Sequence, residues 1–142
     1  MDSNKPNFSL LDHTADLGIK VRGTDLKDLF EQAAKSMMQV MVRMKHNGKT
    51  RRLKLSVQGE DLADLMVRWL GEILYLFEGE KEVVTDLDID AISQSHLDAT
   101  LETVPLDQNL HDIRCEIKAV TYHQIKVAKK DNHWEARIIF DL

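Results

Sequence analysis

Three aspartates stand where this chain could do chemistry. Asp12 and Asp16 bracket a short polar turn, Asp12-His13-Thr14-Ala15-Asp16, near the start. Asp141 adjoins Leu142, the last residue, so its carboxylate neighbours an α-carboxylate. Brought together, these groups would form an all-oxygen pocket of the kind that hard cations such as Ca²⁺ or Mg²⁺ favour. Carboxylates gathered without a cation repel one another, and a cation relieves that repulsion. On spacing alone the competing reading leads: Asp12 and Asp16 are turn and cap residues.

Other constellations are weaker. Asp86-Leu87-Asp88-Ile89-Asp90 imitates the opening of a calcium-binding helix–loop–helix. The sixth loop position, however, is Ala91 where Gly is needed, and the twelfth is Leu97 where a bidentate Glu is needed. A strand with one acidic, solvated face is expected instead. The histidines, His13, His46, His96, His111, His123 and His133, show no His-Glu-x-x-His or short His-x-His spacing, which argues against zinc. His123 ends Lys118-Ala119-Val120-Thr121-Tyr122-His123 and reads as a structural or partner-contact residue rather than a general base. There is no nucleophile elbow, Cys-x-x-Cys pair or phosphate-binding Gly-x-x-x-x-Gly-Lys loop. Cys115, the one cysteine, reads as a small buried hydrophobe.

The elements that must carry these residues follow from hydrophobic periodicity. Leu17 to Gly23 and Leu53 to Gly59 both alternate apolar and polar residues, as half-buried strands do, and both end in Gly. Each precedes a helix start of one form, Asp25-Leu26-Lys27-Asp28-Leu29 and Asp61-Leu62-Ala63-Asp64-Leu65. The first Asp can cap free N–H groups, and the second places negative charge in the first turn. A stripe from Leu26 to Met44 predicts a helix ending near Asn47-Gly48. A broader stripe from Leu62 to Phe77 predicts a more buried helix ending near Gly79. The second half alternates as strands: Val83 to Ile92, Leu97 to Thr103, Ile113 to Ala119, Ile125-Val127 and Trp134 to Phe140. Pro105 marks a loop or strand edge. The expected class is α+β: two helices on a largely antiparallel sheet of about six or seven strands, with the strand–helix unit repeated in the first half.

Length and composition bound the rest. The 142 residues are read as one domain with a real core, and 43% apolar with 30% charged residues is ordinary for a globular chain. A single cysteine excludes a disulfide framework and fits a reducing compartment. No run approaches a membrane span, and the opening Met1-Asp2-Ser3-Asn4-Lys5-Pro6 lacks a signal-peptide pattern, so a cytoplasmic protein is expected. The net charge of −5 argues against a general nucleic-acid binder. One local exception, Arg43, Lys45, His46, Lys49, Arg51, Arg52 and Lys54, reads as a solvated loop between helix and strand.

Asp12-His13-Thr14-Ala15-Asp16-Leu17-Gly18-Ile19 resembles the opening of the archeases. Three segments agree in order: Asp28 to Ala34, Trp69 to Phe77 and Ile117 to His123. The ending, Trp134-Glu135-Ala136-Arg137-Ile138-Ile139-Phe140-Asp141-Leu142, is also similar to the family's. Gly71 departs from it, standing where the family often has Asn. The resemblance implies an accessory protein, with no catalysis of its own, for the RtcB-type RNA ligase of tRNA splicing and RNA repair. That ligase uses GTP and manganese, and archeases promote guanylylation of its active-site histidine and hence multiple turnover. The implied metal site, often calcium with Mg²⁺ or Mn²⁺ as alternatives, carries over onto Asp16 and Asp141, with Asp12 and the Leu142 carboxylate as companions. Lys118 falls in the family's other polar signature and is the implied contact to the ligase or its nucleotide, with His123 beside it; contact with tRNA is indirect.

Two rival classes remain. An RNA-binding or chaperone-like module would use the Arg43–Lys54 stretch, against the net charge and without an aromatic-rich strand for base stacking. A small metal-dependent hydrolase built on the aspartates lacks a general base evident from sequence.

Overall fold

The computed structural model describes residues 8–11, 16–44, 49–107, 109 and 111–142. In chain order the elements are β1 (Phe8–Leu11), β2 (Asp16–Gly23), α1 (Leu26–Met41), β3 (Val42–Met44), β4 (Arg51–Gln58) and α2 (Leu62–Glu78). There follow β5 (Glu82–Ile92), β6 (His96–Pro105), β7 (His111–Ile113), β8 (Ala119–Val120), β9 (Lys126–Lys129) and β10 (Trp134–Asp141). The α+β class holds, and the strands of the described residues divide among three sheets. One runs β1-β2-β10, with both β8 and β9 on the far edge of β10; the others are β4-β6-β5 and β3-β7. Every pairing is antiparallel.

The repeated strand–helix unit is present twice, as β2–α1 and β4–α2. Asp25 accepts from the Asp28 N–H at 2.7 Å, while Asp28 reaches back to the Thr24 N–H at 2.9 Å. Asp61 and Asp64 repeat both bonds, at 2.8 Å each, the second from the Glu60 N–H. Each helix start is thus closed by a reciprocal cap built from two aspartates. The glycines explain themselves: a Cβ on Gly59 would lie 2.7 Å from the Leu65 backbone, and one on Gly23 would collide with the Leu29 backbone. Each strand end must touch the first turn of its own helix.

One hydrophobic cluster joins these layers. It takes Ile19 and Val21 from β2, Ala136, Ile138 and Phe140 from β10, and the inward stripes of both helices. Trp69 is its largest fully buried side chain, and its Nε1–H donates to the Phe30 carbonyl at 2.9 Å, tying α2 to α1. Burying the indole with its donor satisfied removes the cost of an orphaned polar group. Gly71 lies clear of this packing, with nothing within 4 Å of an added Cβ.

Three local expectations need correction. Helix α1 stops at Met41 because β-branched Val42 turns extended and pairs with Ile113, forming the small β3–β7 sheet. The run from Ile113 to Ala119 is not one strand: Arg114 and Cys115 donate to the Met41 carbonyl, and the chain crosses between sheets there. In the basic stretch, Arg51, Arg52 and Lys54 belong to strand β4 rather than to a loop, and Arg43 to β3. Lys45 and His46, like Asn47 and Gly48, lie outside the described residues. No described helix is long and apolar enough to cross a membrane.

Candidate functional site

Pairing between β2 and β10 sets the register that matters. It begins with Trp134 opposite Gly23 and ends with Asp141 opposite Asp16. The two aspartates, nearly the whole chain apart in sequence, are direct cross-strand neighbours. Directly opposed antiparallel residues have Cβ atoms about 5 Å apart, and like charges so placed destabilise the sheet. Asp141 is exposed and Asp16 partly buried, so water reaches the pair. Asp12, with His13, lies outside the described residues. Leu142 follows directly on β10 and is 39% exposed. Among the described residues no group of three or more His, Cys, Asp or Glu side chains converges as a metal cage. A hard cation fits the pair chemically: the donors are all carboxylate oxygens, and exposure leaves room for water to complete the shell.

Strand β8 brings the second polar segment to the same edge. Asp141 pairs with Ala119, and the Lys118 N–H donates to the Asp141 carbonyl at 2.7 Å. This places the Lys118 backbone beside Asp141, while by strand alternation its exposed side chain leaves from the opposite face to the two aspartates, the face of Phe140 and Val120. After β8 the chain loops outward over Thr121 to Ile125 before β9 rejoins β10 at Arg137. Thr121 anchors the loop, its N–H and its hydroxyl both donating to the Ile139 carbonyl at 3.0 and 2.9 Å. Gln124 adopts a positive φ of 53°, unusual for a residue with a side chain, which closes the turn. His123 sits on this turn, exposed, its N–H donating to Thr121 Oγ1 at 3.3 Å. It is therefore joined to the pair through the segment and not by a direct bond.

Tyr122 fixes the outer end of that segment. Its hydroxyl donates to Asp64 Oδ1 at 2.6 Å, while Asp64 Oδ2 takes Arg68 Nε at 2.9 Å and the Glu60 N–H. The Tyr122 hydroxyl, then the Glu60 N–H, hold the Asp64 carboxyl below its ordinary value, with Arg68 adding to the effect. In return the Asp64 carboxylate pushes the Tyr122 phenol up. The two helix caps are copies in sequence, yet only the second also holds a loop. In the first copy Asp28 takes Gln32 instead, at 3.3 Å.

The remaining candidates resolve as structure. Asp86, Asp88 and Asp90 lie on the exposed side of β5, with Asp90 accepting from the Thr100 hydroxyl at 2.7 Å. Cys115 packs against the core, and burial pushes its thiol up.

Comparisons with known proteins identify the family and the fold. Residues 8–142 match the model of the Archease protein family (MTH1598/TM1083). The chain is 32% identical to the protein archease of Methanosarcina barkeri and 33% identical to that of Methanosarcina acetivorans, in both cases over 100% of each chain. It is similar to the solution structure of Methanobacterium thermoautotrophicum protein 1598, with a TM-score of 0.74 and 31% identity over 96% of this chain and 99% of that one. The crystal structure of an archease from Thermotoga maritima shares the fold, with a TM-score of 0.64 at 18% identity over 100% of this chain and 99% of that one.

Proposed function

The chain belongs to the archease family, and from that premise we propose that it activates an RtcB-type RNA ligase in tRNA splicing or RNA repair, performing no ligation itself. The observation that carries this reading is the Asp16–Asp141 pair, with Lys118 bonded to the backbone of Asp141. Asp16 and Asp141 hold a divalent cation, calcium in the first instance, with Asp12 and the Leu142 carboxylate as further oxygen donors. Bound there, the cation supplies charge neutralisation for the two carboxylates and a site for phosphate oxygens. Lys118 presents a positive charge at the same strand end as the acidic pair, where it can meet the ligase or its GTP. The loop fixed by Tyr122 presents Lys118 and His123 as one rigid edge. That edge docks on the ligase and favours its guanylylation-ready state. A protein of this role works in the cytoplasm, beside the ligase.

The test measures guanylylation of the cognate ligase with Asp16→Ala and Asp141→Ala, and ligase binding separately. Lost acceleration with retained binding supports a direct part for the acidic pair in the ligase's nucleotide site. Loss of both supports a docking role. Full acceleration by both variants would contradict the reading, and phosphoester turnover by the protein alone with Mg²⁺ or Mn²⁺ would point to a hydrolase. Residues appended after Leu142 should weaken cation binding if its carboxylate is a ligand; unchanged affinity would remove it from the site.

A further inference from the structure

A second row of one sign lies further along the same side of this sheet, beyond the buried Gly18–Ile139 pair. Arg137 on β10 is directly opposite Lys20 on β2 and directly opposite Lys126 on β9. All three are exposed, and with Lys130 and Glu135 they line one shallow depression. Among the described residues neither Arg137 nor Lys126 has an ion pair. Lys20 lies 3.9 Å from Glu135, whose other oxygen is bonded to His133 Nε2 at 2.9 Å. Like charges directly opposite cost stability, so nothing in the folded chain calls for this row.

We propose that the Lys20–Arg137–Lys126 row is a docking site for the phosphodiester backbone of an RNA strand. Adjacent strands lie about 4.8 Å apart, so the three cations start from Cα positions spanning about 10 Å. Each strand of a duplex carries one charge per about 3.4 Å of helix axis, and an extended single strand fewer, so a span of about 10 Å meets several phosphates at most. The depression is only partly enclosed, and the three cations stay accessible from solvent. No aromatic side chain lines it, so it reads backbone charge and not base identity. The net charge of −5 repels RNA at long range, but salt screens beyond about 10 Å, and the row acts within that distance. An extended polyanion follows from three cations standing abreast. The choice of RNA rests on the proposed function.

The experiment titrates a fluorescein-labelled 20-residue oligouridylate with the full chain alone, from 50 mM salt upward. Weak binding is expected, with log K falling against log salt at a slope of about −2, the value for three single-strand contacts. Arg137→Glu should lose about tenfold or more in affinity at low salt. Its thermal midpoint should not fall, because Glu there would face Lys20 and Lys126. Arg137→Gln should lose less, and Arg52→Gln, on the other sheet, should bind like the parent. Absence of salt-dependent binding would overturn the proposal. So would equal losses in Arg137→Gln and Arg52→Gln, or displacement of the RNA by polyglutamate at equal charge, which would mark the row as a site for an acidic protein. The assay contains no ligase, so its failure leaves the activator reading standing, and failed activation leaves this result intact.

Discussion

Two sheets of this molecule present charged faces to solvent, and they arrange the charges in opposite ways. On β4-β6-β5 the rows across the strands mix signs. Arg52 faces Glu102 at 3.9 Å, and Lys54 reaches Asp90 at 3.7 Å and Thr100 at 2.8 Å; at the strand end, on the side of the buried Thr103, Arg51 bonds Glu82 at 3.1 Å. On β2-β10-β9 and β8, one row is wholly acidic, Asp16 with Asp141, and another wholly basic, Lys20 with Arg137 and Lys126. Mixed rows contribute to folding, each pair by a fraction of a kcal/mol, whereas single-sign rows oppose it by similar amounts. The proposed cation and RNA sites would account for two such rows. The acidic row fits a cation and the basic row a polyanion.

The contrast can be broken or sharpened by measurement, starting from the largest effect. Calcium at 100 times its Kd should raise the unfolding free energy of the parent by about 2.7 kcal/mol. In Asp16→Asn or Asp141→Asn that gain should vanish; an undiminished calcium shift would remove the acidic row from the metal site. At the buried side of the same sheet, Glu82→Ala should cost about 1–3 kcal/mol in chemical denaturation, since Glu82 is the acceptor for the buried Thr103 hydroxyl at 2.7 Å. A loss no larger than that of an ordinary surface change would deny Glu82 this structural role. By contrast, Arg137→Glu on the single-sign face should gain about 0.2–1 kcal/mol. A clear loss there would mean that the basic row holds the fold together.

The smallest effect concerns the loop beside the acidic row. Because the Tyr122 hydroxyl and the Glu60 N–H lower the folded-state value of Asp64, this bond contributes fully above the ordinary carboxylate value of about 3.9 and is lost only as pH falls through the lower folded value. Tyr122 ring resonances followed by NMR should therefore shift below the ordinary aspartate titration. A shift centred on the ordinary value would show that the Asp64 bond does not hold the loop. In Tyr122→Phe the acid-range shift should disappear.

Local pattern carried much of this to the reader of the sequence. The α+β class, the doubled strand–helix unit with its aspartate caps, and the second helix from Leu62 to Glu78 all follow from periodicity and capping. Asp16 and Asp141 were legible as polar groups near strand ends, and resemblance singled them out. Their meeting was not, because it depends on the register of β2 with β10, a long-range pairing that no window of sequence contains. The same gap produced an error of the opposite kind. Arg51, Arg52 and Lys54 look like a basic patch in sequence, but acids on β5 and β6 neutralise them. Lys20, Lys126 and Arg137 look scattered, yet they stand abreast. Net charge conceals such rows, because it sums over the chain what matters only within a few ångströms.

The most direct measurement of the central claim is guanylylation of the cognate ligase with this protein present at well below one molecule per ligase. Activation predicts that nearly all the ligase becomes guanylylated again after each ligation, so that product exceeds ligase many times over. Product that stops at one turnover per ligase, with and without the protein alike, would contradict it.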